Sequence, residues 1–166
     1  MCDVKDWFGL LARVVTGGVW IVAGALKLPD PAASVRAVRA YELLPEAVVP
    51  TVGYLLPTLE IVIGVGLLLG LLTRGAALLS ALLFLAFIVG IASAWARGLQ
   101  IDCGCFGGGG PKANASDDYP WEIARDVGLL ALSLWLVVRP SSKFSLDRVL
   151  FRPTTSEGIP DVEEVR

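Results

Sequence analysis

The chain contains no histidine. That absence excludes Ser-His-Asp and Cys-His nucleophile chemistry and histidine-ligated haem. Any base, or any group that steadies a thiolate, must then be lysine, arginine or a carboxylate. Charge is also scarce, at 18% of 166 residues. With a net charge of −2 and a pI near 5.1 there is no basic surface, so nucleic acid is not an expected partner. Cysteine is limited to three residues, fewer than the four ligands of a structural zinc site or an iron–sulfur cluster. Two thiolates could still hold Cu(I), which favours soft sulfur ligands.

What the chain has in abundance is apolar sequence. Its hydrophobic content of 55% and mean hydropathy of +0.68 exceed what a soluble domain of this length carries. Four runs are long enough for the roughly 20 residues a bilayer-spanning helix needs: 7–28, 48–72, 75–96 and 121–138. In lipid the backbone must satisfy its own hydrogen bonds, so these runs are expected to be helices. The fold class that follows is all-α, an integral membrane four-helix bundle forming one domain over residues 1–139. Residues 140–166 are polar, are broken by Pro153 and Pro160 and end in acidic residues. A flexible cytoplasmic tail is expected there.

Lys5 ahead of the first run and the Ala23-Gly24-Ala25 triplet together resemble a signal peptide. The run is longer than a signal core and acidic residues precede it, so a retained helix is expected. Cys2 has no apolar run before it and does not form a lipobox. Between the first two runs, Pro29-Asp30-Pro31 breaks the chain. Ser34 is then positioned to cap a short amphipathic helix over residues 35–44, lying along the membrane interface. Lys5, Arg74, Arg139, Lys143, Arg148 and Arg152 hug one side of the spans more closely than Arg36, Arg39, Arg97 and Lys112 hug the other. The positive-inside rule favours the cell membrane with both termini cytoplasmic. The loop between the third and fourth runs then faces outward, in the oxidising compartment.

That loop carries Cys103-Gly104-Cys105-Phe106, followed by glycines at 107 to 110. Two cysteines one residue apart can exchange a disulfide, clasp a soft metal, or pin the loop. A Cys-Gly-Cys ring is tight, and its glycine relieves part of the constraint. Strained and exposed disulfides are the more oxidising ones, and so short a closure stabilises little by chain entropy. The glycine tract is expected to leave the pair mobile, with Phe106 anchoring it at the lipid interface. Ionisable residues inside spans are functional candidates by default. Glu60, counted along its own helix, is expected near mid-bilayer below a bend at Pro57. Lys27, Arg125 and Asp126 are expected in the outer half. These groups either orient the bundle as a polar cluster or handle protons and charge beneath the cysteines.

Several tracts resemble the MauE family of methylamine-utilisation proteins, within the DoxX-like four-helix membrane proteins. They are Gly24-Ala25-Leu26-Lys27-Leu28 with Asp30-Pro31, Tyr41-Glu42-Leu43-Leu44-Pro45, Pro57-Thr58-Leu59-Glu60, Cys103-Gly104-Cys105-Phe106-Gly107 and Arg125-Asp126. The resemblance implies a membrane redox protein associated with disulfide formation in a cysteine-rich subunit of methylamine dehydrogenase. It also implies a thioredoxin-like partner. The expected activity is thiol–disulfide exchange by Cys103 and Cys105 with a thioredoxin-fold protein or cysteine-rich client. A quinone among the outer helix ends is the candidate electron acceptor, by analogy with membrane disulfide generators; no quinone motif is visible. A non-catalytic membrane scaffold, or outward-facing Cu(I) handling, stand as alternatives.

Overall fold

The computed structural model describes residues 2–139; the expected tail, 140–166, lies outside the described residues. Among the described residues the chain is nearly all helical: α1 (Cys2–Lys27), α2 (Pro31–Ala40), α3 (Val49–Leu69), α4 (Thr73–Ala96) and α5 (Tyr119–Val138). Between α4 and α5 lie β1 (Ile101–Asp102), β2 (Gly110–Pro111) and a 3₁₀ turn, Ala115–Asp117.

The four long helices alternate in direction. Along α1 and α3, Arg13 meets Leu67 and Leu68, Gly17 meets Gly64, and Lys27 meets Glu60. Descending numbers on one helix against ascending numbers on the other make the pair antiparallel. A side chain at Gly17 would come within 2.9 Å of the Gly64 carbonyl, so the absence of one is what lets the backbones approach. Along α4 and α5 the sequence is Arg74 to Val137, Ser80 to Ser133 and Trp95 to Tyr119, again antiparallel. The start of α1, the α3–α4 turn and the end of α5 therefore share one end. The cysteine loop, α2 and the end of α1 share the other.

The core at the first end and middle is Trp20, Phe84, Ile63, Leu67, Leu129 and Leu136. Trp20 stacks on Phe84 with centroids 4.4 Å apart, and its indole N–H donates to Ser80 Oγ at 2.7 Å. Buried positions recur every three or four residues along α3, at Gly53, Pro57, Glu60, Ile63, Gly64 and Leu67. The rest of that helix exposes Leu55, Val62 and Leu69, and α4 likewise exposes Leu82 and Val89. In water such faces would be costly to leave open; in a bilayer they are the lipid contact. The protein is an all-α, multi-pass membrane protein. The stretches Asp6–Lys27, Val49–Leu69 and Thr73–Ala96 are long and apolar enough to cross. The fourth long helix, α5, has 20 residues, and Glu122, Arg125 and Asp126 fall in its first two turns. It therefore carries its charges toward the cysteine-loop end.

Two expectations for the interfacial helix are corrected. The interfacial helix begins at Pro31, not after Ser34: the Asp30 carboxylate accepts the Ala33 N–H at 3.0 Å, and proline takes the first turn. Ser34 is buried inside the helix, which ends at Ala40 rather than residue 44. Glu60, the twelfth residue of α3, meets Lys27, the last residue of α1, because α3 extends past the end of α1.

Candidate functional site

The cysteine pair is ordered by a hairpin rather than left loose. β1 and β2 pair antiparallel, with Ile101 opposite Pro111 and Asp102 opposite Gly110. Gly107 to Gly110 all take positive φ, between 83° and 113°. The glycine tract thus supplies backbone angles that other residues resist, and it turns the chain back onto β1. Tyr119, at the start of α5, ties the strand down: its hydroxyl accepts the Ile101 N–H at 3.1 Å and reaches the Leu99 carbonyl at 2.7 Å. From the other side Tyr41 donates to the Cys103 carbonyl at 2.9 Å, and its own carbonyl is held by Arg97. Burial keeps the Tyr41 phenol protonated far above its ordinary range.

Helix α2 closes over this hairpin. Gly104, at φ 67°, lies so near Ala37 that a Cβ would come within 2.6 Å of the alanine methyl. Gly109 touches the same alanine. Both sulfurs are consequently buried, with Cys103 8% and Cys105 6% exposed, among Ile91, Ala115, Tyr119, Tyr41 and Ile123. The expectation of a mobile, exposed pair is replaced by a packed one. Phe106 keeps 38% of its surface, and the Arg125 guanidinium stands 4.8 Å over its ring. That cation–π contact occupies its face.

Both cysteines are thiols. The Cys105 N–H donates to Cys103 Sγ at 3.3 Å, and Cys105 Sγ lies 3.9 Å from the Cys103 carbonyl. The Cys105 thiol is pushed well above its ordinary range, first by its hydrogen bond with Cys103, then by burial. Asp102 Oδ1 accepts the Gly104 N–H at 2.8 Å, and Lys112 stands 3.9 Å from its Oδ2.

The sequence-derived charges fall into two groups. Arg125 and Asp126 pair at 2.9 Å and line a narrow cleft with Cys105, Phe106, Trp20, Phe84 and Phe87. The cleft encloses about 230 Å³ including its open mouth. Lys27 and Glu60 form a separate pair at 2.5 Å, both almost fully buried. Lys27 also stands 5.7 Å from the centre of the Phe87 ring. One aromatic ring therefore separates this pair from the cleft beside Cys105. Each pair keeps a buried carboxylate oxygen without a hydrogen-bond partner, Glu60 Oε2 and Asp126 Oδ2.

Two residues escaped the sequence reading. Arg13 is buried in α1 and donates to the Leu67 and Leu68 carbonyls at 2.8 and 2.9 Å, serving the exposed acceptors at the end of α3. Glu122 lies one turn before Asp126, and its carboxylate faces the Cys103 thiol. Both are charges within or beside apolar runs, the signal that had singled out Glu60.

The tracts that suggested a family can now be set beside known proteins. Residues 5–139 match the family model described as "Methylamine utilisation protein MauE". The chain belongs to the MauE family. Every element described above falls within that match apart from the first residues of α1. A protein of Paracoccus denitrificans described as "Methylamine utilization protein MauE" is 34% identical over 98 residues. The matched stretch covers 58% of this chain and 53% of that relative, so the chain spans about half of the curated MauE protein's length. No solved structure matches the chain.

Proposed function

We propose that this MauE-family chain is a membrane thiol–disulfide exchange protein. Cys103 and Cys105 trade disulfides with a thioredoxin-fold partner or a cysteine-rich client, as an accessory step in the methylamine utilisation for which the family is named. The observation that carries the reading is the sulfur pair itself, joined by the Cys105 N–H to Cys103 Sγ bond and by an interaction between the two thiols. A merely space-filling pair has no need of a charged cleft, and Arg125 and Asp126 line one with Cys105. The membrane orientation fits the chemistry. Arg74 and Arg139 hug the spans at the end opposite the cysteines more closely than Arg36, Arg39, Arg97 and Lys112 do at the other, which supports cytoplasmic termini and outward thiols by the positive-inside rule.

Lys27–Glu60 and Arg125–Asp126 are the groups that steady charge or pass protons beneath the pair, each with one carboxylate oxygen still free to accept. A quinone ring does not fit the cleft as it stands, since its cavity volume is about 10 Å³, room for about one water. The exchange itself needs only protein thiols.

The test is the redox state of the pair in intact cells, read by thiol-alkylation gel shift. The pair should switch between dithiol and disulfide on treatment of cells with diamide or dithiothreitol, within minutes and without denaturant. A pair that stays in one state under both treatments contradicts exchange. A scaffold reading is favoured by one observation, the burial of both sulfurs under α2. On that reading replacing both cysteines with serine leaves client maturation intact.

A further inference from the structure

The two sulfurs sit in different surroundings, and resting on the exchange reading this difference assigns them roles. We infer that Cys103 carries the mixed disulfide with the client and that Glu122 takes and returns its proton. Glu122 stands in the first turn of α5 with its carboxylate toward the Cys103 thiol, and its Oε2 is buried without a hydrogen-bond partner. A carboxylate that interacts with a thiol and keeps a second, buried oxygen unclaimed by any donor is what a proton acceptor requires. The other groups facing Glu122 are Asp102 of β1, Lys112 beyond β2, Arg125 of its own helix and Tyr41 after α2.

Cys105 has a different task. Its backbone N–H points at Cys103 Sγ, where it steadies a thiolate, and its own thiol is held protonated by Cys103 and by burial. Of the two, only Cys103 Sγ receives a backbone N–H, and a sulfur so steadied as thiolate is the nucleophile.

The exchange balances as follows. Cys103 gives its proton to Glu122, and the thiolate attacks one sulfur of a client disulfide. The client S–S bond breaks, its second sulfur leaves as a thiolate and takes up a proton, and a mixed disulfide remains on Cys103. Cys105 then loses its proton and attacks Cys103 Sγ, expelling the client's first sulfur. Two electrons have passed to the client, which is now a dithiol, and Cys103 and Cys105 are joined. The same steps in reverse oxidise a client dithiol. Cys103 carries the mixed disulfide in both directions, so the assignment does not depend on which way electrons flow.

The test uses full-length protein in detergent micelles and the small disulfide 2,2′-dithiodipyridine, with thiopyridone release read by absorbance. The Cys105→Ser variant should react through Cys103 and hold a stable adduct, while Cys103→Ser reacts about tenfold more slowly or worse. In the Cys105→Ser background, Glu122→Gln should slow adduct formation about tenfold near neutral pH. It should also move the pH dependence toward that of an ordinary thiol near about 8.5. Glu122→Asp keeps the carboxylate and should recover part of the rate, which a purely structural role would not do. Equal rates for the two single-serine variants, or an unchanged pH profile in Glu122→Gln, overturn the inference while leaving exchange itself standing. If neither thiol of the unaltered protein reacts until it is unfolded, the exchange reading falls with it.

Discussion

At the scale of single residues, the strongest commitments are buried charges. Lys27 and Glu60 pair at 2.5 Å with almost no exposure. Removing one partner strands the other, so Lys27→Ala should cost about 3–5 kcal/mol, seen as a large loss of thermal stability in detergent. The double replacement Lys27→Met with Glu60→Leu should recover most of that loss. Glu60→Gln separates the roles of the pair: preserved assembly with lost exchange marks proton handling, and lost assembly marks a structural pair. Cys105 makes a pH-dependent case. Its thiol is raised, so between about pH 8 and 9, where an ordinary thiol ionises, it stays protonated and less reactive. Mass-spectrometric mapping of iodoacetamide adducts should find Cys103 modified ahead of Cys105 throughout that window. Any stability linked to this thiol is present below its ordinary range and lost as pH rises through the raised value. Lys27, Glu60, Arg125 and Asp126 were legible in the sequence because a charge inside an apolar run demands a partner. Which partner was not legible: the match of Arg13 to carbonyls 54 and 55 residues away exists only once α1 and α3 are packed.

At the scale of elements, the cysteine loop is the clearest departure from expectation. A run of glycines reads as slack in one dimension. Here the positive φ angles at Gly107 to Gly110 make it a turn, and the Tyr119 hydroxyl bonds fix β1 to the start of α5. The lid over the pair, α2, was legible from Pro29-Asp30-Pro31, although the cap belongs to Asp30 rather than Ser34. Its grip is a single methyl, Ala37, held between Gly104 and Gly109. Ala37→Leu should therefore lift α2 from the hairpin and raise the alkylation rate of both cysteines several-fold, with membrane insertion unchanged. Gly104→Ala should do the same, because it adds a clash with Ala37 and strains a left-handed backbone by about 1–2 kcal/mol. An unchanged labelling rate in both variants would show that α2 does not control access.

At the scale of the molecule, the pairing of α1 with α3 and of α4 with α5 puts the start of α1 and the end of α5 at the same end of the bundle. The bundle and its membrane location were readable from apolar run lengths alone, because lipid leaves the backbone no alternative to the helix. The α1–α3 offset and the approach at Gly17 and Gly64 were not, since they depend on which small residues meet across the interface. The proposed orientation, both termini cytoplasmic, predicts that membrane-impermeant maleimide added to intact spheroplasts labels a cysteine placed at Lys112, in a background lacking the native cysteines. It should fail to label one placed at Arg74 until the membrane is opened. The reverse pattern would invert the molecule and put the thiols in the reducing compartment. The central claim, that this pair exchanges disulfides with another protein, is tested most directly by trapping in intact cells carrying Cys105→Ser. On non-reducing gels this variant should run partly as a larger, disulfide-linked species that collapses to the monomer on reduction and is absent from the Cys103→Ser, Cys105→Ser double variant. If neither single-serine variant yields such a species, and cells with the double variant form their client disulfides at the normal rate, the account is wrong.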